Sequence, residues 1–181
     1  LSVEFDKATG MLHRVSVGGK EIPFNNGPLP VGMRMELKSI TKRTEGQDTV
    51  YVMKYKGAVD SIVWRISGDG LLGMDALILN RKDGGGFEGA FFDKQITNLG
   101  FTFSYPESCV ESMEWLGKGP YRVWRNRQEG MNIGLWQKAY NNTVTGESAG
   151  ELVYPEFKGY HGNTYWATIK SEKTPFTVYS E

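Results

Sequence analysis

The stretch EWLGKGPYRVWRNR, residues 114–127, decides the fold, because it packs two tryptophans, two glycines, a proline and four cations together. Aromatic and cationic side chains in such density can stack on a sugar, whereas Gly and Pro are the residues with which a β-rich chain turns. We expect residues 114–116 to end a strand, with Trp115 directed into the core. Residues 117–120 then form a corner, and residues 121–127 carry a candidate binding surface.

The sequence on both sides of this stretch predicts an all-β protein. Short apolar and β-branched runs are separated by Gly, Pro, Asn and Asp, as in antiparallel sandwiches. The predicted hairpins and strands fall at residues 2–5 with 11–17, 33–41 with 49–55, 61–66 with 72–79, 100–105 and 110–116, with turns at 17–20 and 25–28. On residues 33–41 we expect Met33, Met35, Leu37 and Ser39 to share one face. Residues 81–89 predict a loop, and the only helical turn expected lies near residues 92–96.

Length and charge limit the function classes. The 181 residues suit a single β-sandwich domain spanning 1–181, and 21 Lys and Arg balance 21 Asp and Glu. A net charge of zero favours neither nucleic acid nor an acidic membrane as a partner. No apolar run approaches the roughly 20 residues that cross a bilayer. The chain begins at Leu1 and ends within a strand-like run, so we expect it to be an excised or truncated part of a larger protein.

Candidate catalytic and metal-binding residues are few. The one cysteine, Cys109, cannot form an internal disulfide, and with only His13 and His161 it makes no zinc-ligand spacing, so we expect no metal and no cofactor. The acidic residues cannot be paired across a scissile bond from sequence alone. Glu114 and Glu156 lie beside aromatic or proline segments, and each has a solvated-surface interpretation as well as a ligand-contact one. We name no catalytic residue.

The aromatic residues offer the clearest binding candidates. Five tryptophans occur, of which Trp64, Trp115 and Trp166 fall within alternating runs and are predicted to fill the core. A sugar ring packs on an indole or phenol while Arg, Asn and His take its hydroxyls. The carbohydrate-binding candidates on this basis are Tyr121, Trp124, Arg125, Arg127, Trp136, Tyr160, His161 and Asn163.

Three segments carry a family resemblance. Residues 114–120, followed by Arg-Asn-Arg at 125–127, resemble the W-x-G-x-G-P…R segment in the last domain of the large bacterial β-galactosidases of glycoside hydrolase family 2. YPEFKGYHGN at 154–163 occupies the place of that domain's Y-x-x-P-x-E-x-G-x-R stretch, and FDKATGML at 5–12 is similar to its opening F-x-x-x-x-G-x-L hairpin. The sequence departs from the family at 121–127, where those enzymes commonly show His/Gln-Glu-Asn-Tyr-x-Asp-Arg, and at 160–163. These departures leave the sugar specificity open.

The resemblance implies a galactose-mutarotase-like super-sandwich, two large antiparallel sheets packed face to face. It also implies a non-catalytic C-terminal domain that packs on the catalytic barrel of the same parent chain, helps to shape the substrate cleft and contributes to carbohydrate binding. The family's catalytic glutamates lie in that separate barrel, so we expect this chain alone to be inactive. From the resemblance we expect the chain to stop before the part of the domain that brings an aromatic residue toward the family's active site. A periplasmic or secreted location follows from the resemblance only.

Two other functions remain open at this point. An autonomous carbohydrate-binding module requires an exposed aromatic platform with flanking Arg and Asn, whereas an accessory domain requires an exposed apolar patch. A mutarotase-type sugar epimerase requires His and carboxylate partners in that fold's order, and His13 and His161 match no such arrangement.

Overall fold

A computed structural model of the chain describes residues 1–79, 99–121, 129–143 and 156–180. These residues form β-strands and one short 3₁₀ turn, with no α-helix among them, and every strand pairing is antiparallel. The all-β prediction is confirmed. The chain divides into two compact units, Leu1–Tyr105 and Pro106–Glu181. The expected loop at 81–89 and helical turn near 92–96 lie outside the described residues.

The first unit contains three antiparallel sheets. Their orders are β1-β2-β3, β4-β9 and β5-β6-β7-β8. The strand bounds are β1 Ser2–Phe5, β2 Leu12–Val17, β3 Lys20–Ile22, β4 Asn26–Val31, β5 Met35–Glu45, β6 Asp48–Gly57, β7 Val59–Ile66, β8 Leu72–Ile78 and β9 Gly100–Ser104.

The predicted hairpins form because residues within each turn stabilise it. Between β1 and β2, the carboxylate of Asp6 accepts hydrogen bonds from the backbone N–H of Ala8 and Thr9, at 2.9 and 2.7 Å. Gly18 and Gly19 join β2 to β3 with φ of +57° and +79°, a conformation that residues with a Cβ rarely adopt. The turn expected at residues 25–28 is wrong, because β4 begins at Asn26 and pairs with β9.

The core of the first unit lies against one face of the four-stranded sheet. Met53 and Ile62 are fully buried there, and Trp64 is almost so. The ring of Phe5, from β1, lies 5.5 Å from that of Trp64, which packs the first hairpin onto this sheet. A bulge in β5 between Leu37 and Ser39 sets Ser39 opposite Lys54, so the predicted alternation of inward residues ends at Leu37.

The second unit contains one four-stranded sheet of order β11-β10-β12-β13. After a 3₁₀ turn at Glu107–Cys109, its strands are β10 Ser112–Gly119, β11 Asn132–Ala139, β12 Trp166–Lys170 and β13 Phe176–Tyr179. The predicted corner at residues 117–120 is wrong, since β10 continues through Gly117 and Gly119 in full register with β11. These glycines serve close packing on the strand and not a turn, because a Cβ on Gly119 would collide with the Trp136 indole and one on Gly117 would crowd the Asn163 carbonyl.

Candidate functional site

One face of the β10–β11 hairpin concentrates the aromatic and glycine residues. Directly opposite residues of antiparallel strands share a face, and Trp115 lies opposite Trp136 while Gly117 lies opposite Gly134. We call this the tryptophan face, defined by Trp115, Gly117, Gly119, Gly134, Trp136 and Lys138. Trp115 is 1% exposed.

The glycines of the tryptophan face make room for an indole ring. A Cβ on Gly119 would lie 2.6–2.8 Å from Cδ1, Nε1 and Cγ of Trp136, and one on Gly134 would lie 3.0 Å from its Cζ2. The Trp136 Nε1–H also donates to the Gly117 carbonyl oxygen at 3.1 Å. The spacing W-x-G-x-G therefore provides a flat strand surface on which the second tryptophan rests.

Lys138 completes the tryptophan face with a buried cation. The side chain is 7% exposed, and Nζ lies 5.7 Å from the centroid of the Trp115 ring. This Nζ donates a hydrogen bond to the backbone carbonyl of Glu156, which is itself buried. Burial lowers the pKa of Lys138, and the negative charge of Glu156 partly opposes that shift. The ammonium thus joins β11 to the segment that begins at residue 156.

Residues 156–165 close the end of β10. The His161 ring meets Trp115 edge to face with centroids 4.9 Å apart, and the backbone N–H of Lys118 donates to the Gly162 carbonyl at 3.0 Å. Asn163 has φ of +50°, and its carbonyl oxygen lies 3.0 Å from the position of a Cβ on Gly117. The absence of a side chain at Gly117 therefore leaves room for the Asn163 backbone, just as its absence at Gly119 leaves room for the Trp136 indole.

The predicted sugar-binding residues divide into three groups. Trp136, His161 and Asn163 are brought together around Gly117 and Trp115. Tyr160 is 53% exposed on the closing segment, and Tyr121 is 36% exposed after β10. Trp124, Arg125 and Arg127 lie outside the described residues.

Lys138 was missed by sequence reasoning. The period of two along a strand could have indicated it, because residues 134, 136 and 138 of β11 point to the same, inward face. A lysine on the same face as a glycine and a tryptophan indicates a buried cation.

The opposite side of the same sheet, which we call the outer face, carries a row of apolar residues across all four strands. Leu116 of β10 lies opposite both Leu135 and Trp166, and Trp166 lies opposite Tyr179. Leu135 is 62% exposed and Tyr179 is 65% exposed. Trp64 and Trp115 are buried as predicted, but Trp166 is only half-buried because it belongs to this outer row.

The two glutamates singled out from the sequence have structural partners. Glu114, on the outer face, accepts a hydrogen bond from Lys170 Nζ at 2.9 Å. Glu156 is buried beside Lys138. In the described ranges no three His, Cys, Asp or Glu side chains gather as metal ligands, and no helix there is long and apolar enough to span a membrane.

Comparison with known proteins gives one family. The family model for the β-galactosidase small chain matches residues 1–180. A search of curated proteins returns no match.

Proposed function

The chain belongs to the β-galactosidase small-chain family, and we propose that it packs on the catalytic barrel of its parent enzyme through the outer face of β10–β13. As a member of that family it is an accessory domain of a β-galactosidase-like enzyme. In this proposal it supplies no catalytic group and helps to shape the substrate cleft. The proposed arrangement of the whole domain is the mutarotase-like super-sandwich.

The observation that carries the packing proposal is the apolar row of the outer face. Directly opposite side chains in an antiparallel sheet lie roughly 5 Å apart, so Leu135, Leu116, Trp166 and Tyr179 form a continuous stripe. Exposed apolar stripes of this kind on soluble proteins mark surfaces that another protein layer covers. The neighbouring cross-strand row consists of Gln137, Glu114, Thr168 and Thr177, which gives the stripe a polar border.

A second role, carbohydrate binding, is favoured by the closing segment. Tyr160 and Tyr165 each leave about half of their surface exposed, at 53% and 51%. Exposed phenol rings offer flat apolar faces to sugar rings, and the exposed Asn163 lies on the same segment to meet hydroxyl groups. We propose that this segment contacts substrate from the edge of the cleft.

Complementation in trans tests the packing proposal. The parent enzyme lacking this domain is mixed with the separate 181-residue chain, and recovered β-galactoside hydrolysis is measured. We expect Leu135→Gln to weaken recovery, because a polar amide replaces apolar contact area, while thermal unfolding of the isolated variant stays unchanged. The matched control is Val17→Gln in β2, a site 54% exposed. Equal recovery with both variants would contradict the proposal.

Calorimetric titration separates the accessory domain from an autonomous module. Galactose and lactose are titrated into the isolated chain, its Tyr160→Ala variant and a Tyr179→Ala control. Heat of binding in the isolated chain that only Tyr160→Ala removes would favour the autonomous module. No heat, together with no acceleration of galactose mutarotation, is the outcome expected of an accessory domain.

A further inference from the structure

The carboxylate of Glu107 joins two segments of the second unit. Glu107 begins the 3₁₀ turn before β10, and its Oε1 accepts a hydrogen bond from the hydroxyl of Tyr140, the residue that follows β11. The same oxygen lies 2.5 Å from Nζ of Lys158, on the closing segment of residues 156–165. Hydrogen bonds from Lys158 and then from Tyr140 lower the pKa of the Glu107 carboxyl. One ionised oxygen therefore holds the end of β11 and the start of the closing segment together.

Further contacts at the same place align the two segments. Lys158 Nζ also donates to Asn142 Oδ1 at 2.5 Å, and the backbone N–H of Phe157 donates to Asn141 Oδ1 at 3.0 Å. The rings of Tyr140 and Phe157 meet edge to face with their centroids 5.0 Å apart. The start of the closing segment is thus fixed through its backbone, through an aromatic ring and through its charged side chain.

The far end of the exposed part of this segment is fixed as well. The backbone N–H of Lys118, in β10, donates to the Gly162 carbonyl at 3.0 Å. Tyr160 therefore lies halfway between Lys158 and Gly162, both of which are held, and only Gly159 and Tyr160 are exposed in between. Because both ends of this five-residue stretch are held, few backbone conformations are available to it. The position of the exposed phenol ring depends on these attachments.

We propose that Glu107 is a positioning residue, which places Tyr160 for contact with the β-galactoside by holding Lys158. The inference rests on the proposed contact between the closing segment and substrate. In this role Glu107 acts through Tyr160 and not on the sugar itself. Without the Glu107 carboxylate, the closing segment would have to be ordered when substrate binds, and the entropic cost of that ordering would weaken binding.

The exposure of the contact makes its effect local. The side chains of Glu107 and Lys158 are 53% and 39% exposed, and ion pairs this exposed add little to the free energy of unfolding. Removing the carboxylate should therefore loosen the closing segment while the midpoint of thermal unfolding changes little. A folded variant is thus expected for the test.

Kinetics and amide hydrogen exchange of the parent enzyme test the proposal together. Glu107→Gln keeps the shape of the side chain and removes its charge. We expect it to raise KM for a β-galactoside by about three- to tenfold with kcat unchanged, because binding common to the ground state and the transition state is lost. Amide exchange in residues 156–162 should become faster. Glu172→Gln, the same change in the exposed turn between β12 and β13, is the control and should alter neither quantity.

A double-mutant cycle separates positioning from a merely structural effect. Tyr160→Ala should raise KM by itself, and adding Glu107→Gln to it should raise KM no further, because Glu107 acts only through that ring. The charge exchange E107K/K158E should return KM part of the way to the wild-type value.

The contrary outcomes refute different steps. Exchange as slow in Glu107→Gln as in wild type would show that Glu107 does not hold the segment. If KM rises in Tyr160→Ala but not in Glu107→Gln, or if the two increases are additive, the sugar contact stands and the positioning role is wrong. An unchanged KM in Tyr160→Ala would refute the proposed sugar contact, and the positioning role with it.

Discussion

Replacing Gly119 by alanine tests the architecture of the tryptophan face most directly. The added Cβ would lie 2.6 Å from Cδ1 and 2.7 Å from Nε1 of Trp136, closer than carbon atoms approach without displacement. The indole cannot move freely, because its Nε1 is bonded to the Gly117 carbonyl and its ring also rests on Gly134. The strain must be met by moving the ring or the strand.

The magnitude follows from two opposing terms. Overpacking by one carbon in a well-packed site destabilises by about 1–3 kcal/mol. Alanine in place of glycine recovers about 0.4–1 kcal/mol through the unfolded chain, because the Gly119 backbone has no positive φ that alanine would resist. We expect the free energy of unfolding to fall by about 1–2 kcal/mol.

Urea unfolding followed by far-UV circular dichroism measures this loss. The matched control is Gly100→Ala in β9, where a Cβ meets nothing within 4 Å and stability should be unchanged or higher. Combining Gly119→Ala with Trp136→Ala should recover about 1 kcal/mol or more relative to the sum of the single variants. If Gly119→Ala is as stable as Gly100→Ala, or if the two changes are additive, the indole does not rest on Gly119 and the explanation of the motif fails.

Three further predictions concern pH. Burial raises the pKa of Tyr55 from 10.0 to about 12, so the free energy of unfolding should fall as pH rises above 10, by up to about 2.7 kcal/mol, from two units at 1.36 kcal/mol each. Tyr55→Phe should remove that decline in denaturant titrations at high pH, whereas the exposed Tyr165→Phe should keep it. Lys138 has a lowered pKa, so it should contribute the opposite slope, with stability rising as pH approaches its ordinary 10.5; Lys138→Met should lack this rise, and an unchanged slope would refute the buried ammonium. Asp6 has its pKa lowered by the hydrogen bonds from Thr9 and Ala8, so the turn's contribution is present at neutral pH and is lost as pH falls through its folded pKa. Asp6→Ala should be less stable than wild type at pH 7 and equal to it in acid, as measured by thermal unfolding.

The parts of the fold that the sequence predicted are those with local causes. The turn at Gly18 and Gly19 needs two positive φ angles, and adjacent glycines signal that need directly. Likewise β5 and β6 meet across Gly46 and Gln47 with Glu45 opposite Asp48, between the strands predicted at 33–41 and 49–55. Such hairpins require no information from distant residues.

The errors arose where a distant residue decides the conformation. Gly117 and Gly119 carry the composition of a turn, but Gly119 is required because an indole 17 residues farther along the chain rests on the strand, and Gly117 because the backbone of Asn163 approaches it. The bulge after Leu37 has no local marker, since Lys38 is an ordinary strand residue in composition. A single sequence does not reveal which neighbour approaches a glycine.

The same distant dependence explains why the W-x-G-x-G segment, on which the family resemblance rests, says little about ligands. Its glycines are needed only if Trp136 and the backbone of Asn163 lie over them, so the segment reports a whole arrangement of β10, β11 and residues 156–165. Changing Gly119 should therefore reduce stability and any sugar contact together. Tyr160, 53% exposed on the same segment, should affect only the contact. Mutating a residue that supports the surface should therefore reduce both sugar binding and stability, whereas mutating a residue that contacts the sugar should reduce binding alone.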